Sequence, residues 1–172
     1  MALRTILRDD NDTLRKVSRP VTSFNKRLHD LLDDMQETLT EANGLGLAAP
    51  QVGILRRAVL VVNDEDEVCE LVNPEIISAE GEQEGFEGCL SVPGFYGIVK
   101  RPLIVTVKAF DRNGKAFTLT GEGMTARCFC HEIDHLNGHL YTEYADRLYT
   151  PEEIDEMNRD VDDEDDGEEE GA

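Results

Sequence analysis

No apolar run in this 172-residue sequence approaches the ~18 residues that a membrane-crossing helix requires, so a helix-spanning protein is excluded. The opening stretch MALRTILRDDNDTLRK lacks the apolar core of a secretory signal and is too acidic for a transit peptide. A cytoplasm is the expected location. Basic residues are scarce: 17 Lys+Arg stand against 37 Asp+Glu, a formal net charge of −20. The basic footprint of a nucleic-acid binder is missing, so neither direct nucleic-acid contact nor a membrane partner is expected. Cysteines are few. Cys69, Cys89, Cys128 and Cys130, in a chain without a signal, do not read as a disulfide framework and are expected as thiols. No internal repeat is visible.

The length suits one domain, and about 150 ordered residues bury roughly 68–70% of their unfolded surface, enough for a core without disulfides. The charge is uneven. Residues 151–172 hold 13 Asp+Glu against one Arg, a net of −12, which leaves −8 for the first 150. The chain therefore divides into a body, 1–150, and an appendage, 151–172. The appendage opens as a short helix at Pro151 and passes into an acidic tail, expected to be disordered beyond Asn158 because it has little apolar surface to bury.

Within the body, residues 1–22 read as irregular. Ser23 is placed to cap a helix in which Phe24, Leu28, Leu31, Leu32, Met35 and Leu39 recur at helical spacing, ending near Asn43-Gly44. Arg57–Val62 reads as a strand, and Leu71–Ile77 as a second one interrupted by Pro74. The stretches 98–111 and 115–119 flank Asn113-Gly114, a hairpin signal. Residues 121–138 contain few breakers and read as a second helix, opening near Met124-Thr125 and stopped at Gly138. Strands grouped between helices, without βαβ alternation, argue for an α+β fold.

The strongest chemical pattern is His131-Glu132-Ile133-Asp134-His135. Residues four apart on a helix are rotated by about 400°, so His131 and His135 share a face one turn apart and can grip one metal ion. Glu132, beside the first ligand, is placed as a general base toward water. A catalytic site of this kind needs a third ligand and an open position. His139 follows the helix-ending Gly138, and the position where a metzincin would put its third His is Tyr141. Glu143 is close in sequence and unconvincing as a thermolysin-like ligand. Cys128 can share the face of His131, whereas Cys130 is turned toward the core. Cys89, flanked by glycines in Gly85-Phe-Glu-Gly88-Cys89-Leu-Ser-Val-Pro93, is the other candidate. Spacing alone leaves Cys89 and Cys128 both open. His29 reads as solvated, Ser91 is rejected as a nucleophile, and Asp134 either orients a neighbour or faces solvent.

Three stretches taken together resemble the peptide deformylase family. Gly44-Leu45-Gly46-Leu47-Ala48-Ala49-Pro50-Gln51 matches that family's GxGLAAxQ motif, Glu87-Gly88-Cys89-Leu90-Ser91 matches EGCLS, and His131–His135 with Leu136, Asn137 and Gly138 matches HExDHLxG. The resemblance runs from about residue 4 to about 148, with the motifs in order. The expected α+β architecture is small antiparallel or mixed sheets packed around a central metal-binding HExxH helix, with an N-terminal amphipathic helix. The resemblance also implies Cys89, His131 and His135 as metal ligands, Glu132 as acid/base, and Gln51 with the backbone N–H of Leu90 as oxyanion donors. Leu45, Gly46 and Gly88 are implied to bond the substrate main chain, with Leu45, Met124 and Cys128 as candidates for the methionine pocket.

The implied activity is hydrolysis of the N-formyl group of formylmethionine on nascent bacterial polypeptides, close to the ribosome, with release of formate. The implied native ion is Fe²⁺. One thiolate and two imidazoles suit Zn²⁺, Ni²⁺ and Co²⁺ as well. Cys130 stands where many family members have Gln. Two other readings compete: a zinc endopeptidase using the same helix with a different third ligand, and an acidic binding module without a metal.

Overall fold

The computed structural model describes the backbone of residues 2–169 and the side-chain environment of residues 2–161. The elements in chain order are α1 (Lys26–Ala42), β1 (Gly46–Ala48), β2 (Ala58–Val62), β3 (Val68–Glu80), β4 (Gln83–Cys89), β5 (Val92–Arg101), β6 (Ile104–Phe110), β7 (Ala116–Glu122), α2 (Met124–Leu136), β8 (Leu148–Tyr149) and α3 (Pro151–Glu169). Strands β1-β2-β3-β6-β7, in that order, form a five-stranded antiparallel sheet, and β4-β5-β8 form a smaller one.

The larger sheet is covered on both faces at β2. Side chains alternate along a strand, and β2 shows the result. Val59 and Val61 join Phe129, Ile133 and Leu136 of α2, while Ala58 and Leu60 join Leu28, Leu32, Met35 and Leu39 of α1. Burial on both faces explains why β2 is an unbroken apolar run. The helix with the His131–His135 pattern is thus a core element, packed on the sheet by its apolar side.

Local chemistry sets the boundaries. Asn25, not Ser23, caps α1: its side-chain oxygen accepts from the N–H of Leu28 at 3.2 Å, the third-residue position a capping side chain reaches. Asn43 ends the helix in the left-handed region, φ 55°. Pro74 does not interrupt β3. The ladder to β6 shifts register between Val72 and Glu75, and Asn73 takes φ 49°, so the residue without an N–H sits at a bulge. The stretch 98–111 is two strands rather than one. β5 ends at Arg101 and Pro102 lacks the donor to continue, so the chain leaves the small sheet and re-enters the large one at Ile104. The turn at Asn113-Gly114 joins β6 and β7 as expected, with Asp111 Oδ1 accepting from the N–H groups of Asn113 and Lys115.

Arg57 ties down the end of α2 by donating to the Leu136 carbonyl at 3.2 Å and to Asn137 Oδ1 at 3.1 Å. α3 begins where expected, at Pro151, and its backbone stays helical to Glu169, past the Asn158 boundary drawn from charge. Local chemistry fixes where it begins. Thr150 Oγ1 accepts from the Glu153 N–H at 3.3 Å, Glu153 Oε1 accepts from the Thr150 N–H at 3.4 Å, and acids fill the first turn. That is a reciprocal cap with charges that suit a helix N-terminus.

Candidate active site

Three separate pieces of chain meet at one cleft of about 620 Å³. β4 delivers Cys89 at its last residue, α2 delivers His131, Glu132 and His135, and the turn of 3-10 helix at Ala49–Val52 delivers Gln51. One ligand atom each from Cys89, His131 and His135 lies within 4.8 Å of the other two. Cys89 Sγ is 3.4 Å from His135 Nε2. Cys128, the competing candidate, lies in the core beside Ala126 and Phe129 and outside this group; it touches the cleft only as lining. Burial pushes its thiol up to about 12. Cys130 is buried in the same core, its thiol raised to about 11 by burial. A thiol and two imidazoles converging at this separation fit a divalent ion with a position left for water.

The neighbours of these groups fix their orientation. His131 Nδ1 bonds Glu87 at 2.8 Å, leaving Nε2 turned toward the cleft. Glu87 also receives Arg101 through two nitrogens, at 2.8 and 3.0 Å, and Arg127 at 2.8 Å. Arg101 reaches on to Asp134 at 2.7 Å. All of Glu87, Arg101 and Arg127 are buried. Burial by itself would raise the Glu87 carboxyl; the hydrogen bonds from His131 and Arg101 overcome it and hold the group at about 2. The same burial opposes charge on His131, but its bonds to Cys89 and Glu87 outweigh it, whereas His135 is driven down by burial and by the charges of His131 and Arg101.

Glu132 is environmentally different. It is 4% exposed, its Oε1 lies 4.0 Å from His131 Nε2, and its Oε2 is buried with no hydrogen-bond partner among the described residues. Burial pushes its carboxyl up to about 7, the positive neighbour His131 working in the opposite direction. A carboxyl balanced near neutrality in a cleft is suited to taking and returning a proton. A Cβ at position 46 would stand 2.6 Å from Glu132 Oε1, so glycine there is what lets β1 pass this close.

Gln51 is 1% exposed and held by both ends of its amide. Its Oε1 accepts from the Ala48 N–H at 2.9 Å, which turns Nε2 toward Ser91 Oγ (3.1 Å) and Cys89 Sγ (3.5 Å). Ser91 is buried as a partner of that amide. Leu45, Gly46, Gly88 and Leu90 line the same cleft, as does Met124. Leu45 and Met124 are each 51% exposed, so neither is a core residue. His135 lies fully buried behind the cleft. His139 and Glu143 face each other on the surface at 3.3 Å, apart from the three-residue group. His29 is half-buried rather than solvated, bonded to the Arg112 carbonyl at 2.7 Å. Asp134 orients Arg101.

Sequence reading missed Glu87, Arg101 and Arg127 as parts of the site. Glu87 was within reach: it lies two residues before Cys89 in a strand, the spacing that puts side chains on one face. Nothing local marks Arg101 or Arg127, whose partners are distant in sequence.

Known proteins resemble this chain in sequence and fold. A family model described as polypeptide deformylase matches residues 3–150. Peptide deformylase 2 of Clostridium acetobutylicum is 54% identical over 144 residues, covering 83% of this chain and 95% of that protein. Peptide deformylase 1 of Bacillus subtilis is 46% identical, covering 91% and 99%. Among solved structures, a peptide deformylase from Legionella pneumophila superposes with a TM-score of 0.80 at 45% identity, covering 92% of this chain and 96% of that one.

Proposed function

The chain belongs to the polypeptide deformylase family, and from that premise we propose which of its residues carry the reaction. It is a metal-dependent hydrolase that removes the N-formyl group from the N-terminal formylmethionine of newly made polypeptides. This sets aside the endopeptidase and the metal-free binding module. Water adds across the formyl C–N bond: oxygen joins the formyl carbon, the bond to nitrogen breaks, and formate and a free amine leave.

Cys89, His131 and His135 would hold the ion. When bound, it supplies Lewis-acid activation of water and of the formyl oxygen at neutral pH. Fe²⁺ is the proposed native ion, with Zn²⁺, Ni²⁺ or Co²⁺ as substitutes for the same donors. Glu132 takes a proton from the attacking water on its buried carboxylate and returns it to the departing amine nitrogen. Gln51, with its oxygen anchored on Ala48, presents Nε2–H to the oxyanion that develops at the formyl carbon; the Leu90 N–H is the second donor. Leu45, Gly46 and Gly88 bond the extended substrate through its main chain, which tolerates many sequences beyond the first residue. The exposed apolar side chains of Leu45 and Met124, with Cys128 on the wall, receive the methionine.

The catalytic unit is residues 1–150, supported by the extent of the family match, with 151–172 an appendage. A cytoplasmic location and work close to the ribosome follow from substrates that are newly made chains. No described helix is long and apolar enough to cross a membrane.

The observation that carries the assignment is the grouping of three ligand atoms within 4.8 Å beside the buried Glu132. The test is formate release from formyl-Met-Ala-Ser by anaerobically prepared protein, with metal analysis and acetyl-Met-Ala-Ser in parallel. Metal-loaded protein that releases no formate, or that cuts the acetylated peptide internally, overturns the assignment.

A further inference from the structure

A second cleft, of about 940 Å³, shares no lining residue with the catalytic one. It lies between the N-terminal segment, the start of α1 and the approach to β2. Arg4, Arg19, Arg27 and Arg56 line it, and among the described residues no Asp or Glu does. Arg4 is paired with Asp34. Among the described residues, the side chains of Arg19, Arg27 and Arg56 have no ion pair or side-chain hydrogen bond, and all three are exposed. In a chain with 37 acids to 17 bases, three unpaired guanidiniums around one cavity are the opposite of what random placement yields. Beneath them the floor is apolar, formed by Val21, Leu28, Leu31 and Ile54.

The complementary surface is in the same chain. Ile154, Met157 and Val161 fall at i, i+3 and i+7 on α3, one face of a helix. Met157 is 40% and Val161 57% exposed, so the stripe is largely uncovered. Exposed Glu152, Asp155, Glu156 and Asp160 flank it, and residues 151–172 carry a net of −12. Among the described residues of α3, none lines the arginine cleft of its own chain.

We infer that the arginine-rimmed cleft is a docking site for the acidic helix α3 of a second copy of this chain. Met157 and Val161 settle on the apolar floor while the flanking acids meet Arg19, Arg27 and Arg56, an amphipathic helix in a groove. Exchange in both directions about a two-fold axis closes the assembly as a dimer. Both copies are acidic overall, but the Debye length of ~8 Å at physiological ionic strength screens the bodies from each other more than it screens contacting charges.

Two full-length variants test this: Arg19→Glu/Arg27→Glu/Arg56→Glu, which reverses the rim, and Met157→Asp/Val161→Asp, which spoils the stripe. Neither touches the catalytic cleft, so formate release serves as the check that each folds. Sedimentation velocity over a concentration series is expected to show wild-type dimers, self-association weakened about tenfold or more in the arginine variant, as three reversed exposed pairs would give, and a loss in the Met157/Val161 variant, which places carboxylates on the apolar floor. The Met157/Val161 variant keeps an intact cleft and the arginine variant keeps an intact helix. Mixing the Met157/Val161 variant with the arginine variant is therefore expected to restore association that is weakened in each alone. A wild-type chain that stays monomeric, or dimers indifferent to both variants, overturns the inference. So does a single-stranded RNA that occupies the cleft more tightly than a labelled peptide of residues 151–172, since the partner would then be a phosphate backbone.

Discussion

The Glu87 carboxylate accepts from an imidazole and two guanidiniums, all inside the protein. Its removal strands charges that burial has already desolvated. Glu87→Gln is expected to cost roughly 3–5 kcal/mol, the usual penalty for breaking a buried ion pair from one side. It also takes away the acceptor that orients His131, and metal affinity is expected to fall ~10–100-fold. Urea unfolding and metal content after dialysis measure the two effects, and wild-type values in both would refute the orienting role. Glu132 sits in the same helix with the opposite assignment. Its Oε2 has no hydrogen-bond partner among the described residues, so little structure depends on it. Glu132→Ala is expected to keep metal and melting temperature while formate release drops by ~10²–10⁴, the range for loss of a proton-transfer group. A variant with near wild-type release would show that the proton goes elsewhere.

At the scale of elements, the site is a junction between a strand end and a helix face, and that sorts the cysteines. Cys89 closes β4 and points at the histidines, whereas Cys128 and Cys130 lie on the packed sides of α2. Cys89→Ala is expected to come out of dialysis without metal, and Cys128→Ala and Cys130→Ala to come out loaded; the reverse result for Cys89 and Cys128 would reassign the third ligand. Helices α1 and α2 and the β6–β7 hairpin were legible because each signal is local: period 3.6 in α1, a stretch with few breakers in α2, and Asn113-Gly114 at the turn. Strand β4 and the first half of β5 were not legible. Their Gly85, Gly88, Pro93, Gly94 and Gly97 read as loop, and their pairing comes from a register that local propensity does not encode. The same limit hid Arg101, whose partners Glu87 and Asp134 are 14 and 33 residues away. Pro74 misled in the other direction, because a bulge in a long strand leaves no mark in composition.

For the molecule as a whole, acid stability follows from Glu87. Its carboxyl is held at about 2 in the folded protein, against an ordinary value of 4.5. The unfolded chain therefore takes up the proton first as pH falls. The resulting stabilisation, on the order of 3 kcal/mol, is fully present above about pH 4.5 and is lost progressively toward pH 2. Unfolding free energies across that window should decline in wild type and stay flatter in Glu87→Gln; parallel curves would assign the acid sensitivity to other groups.

One further property follows from the way His131 is held. Its ring is fixed by Glu87, its helix by the large sheet and by Arg57 at the end, and Cys89 by the ladder between β4 and β5. None of these restraints passes through a metal. Loading is then a guest entering a furnished room, unlike a zinc finger, where binding and folding are one event. Chelation at neutral pH should leave the circular dichroism and the cooperative melt in place, and activity should return on adding a divalent ion; collapse on chelation would show that the ion is a strut. The same scaffold would therefore keep its shape with any divalent ion that one thiolate and two imidazoles accept.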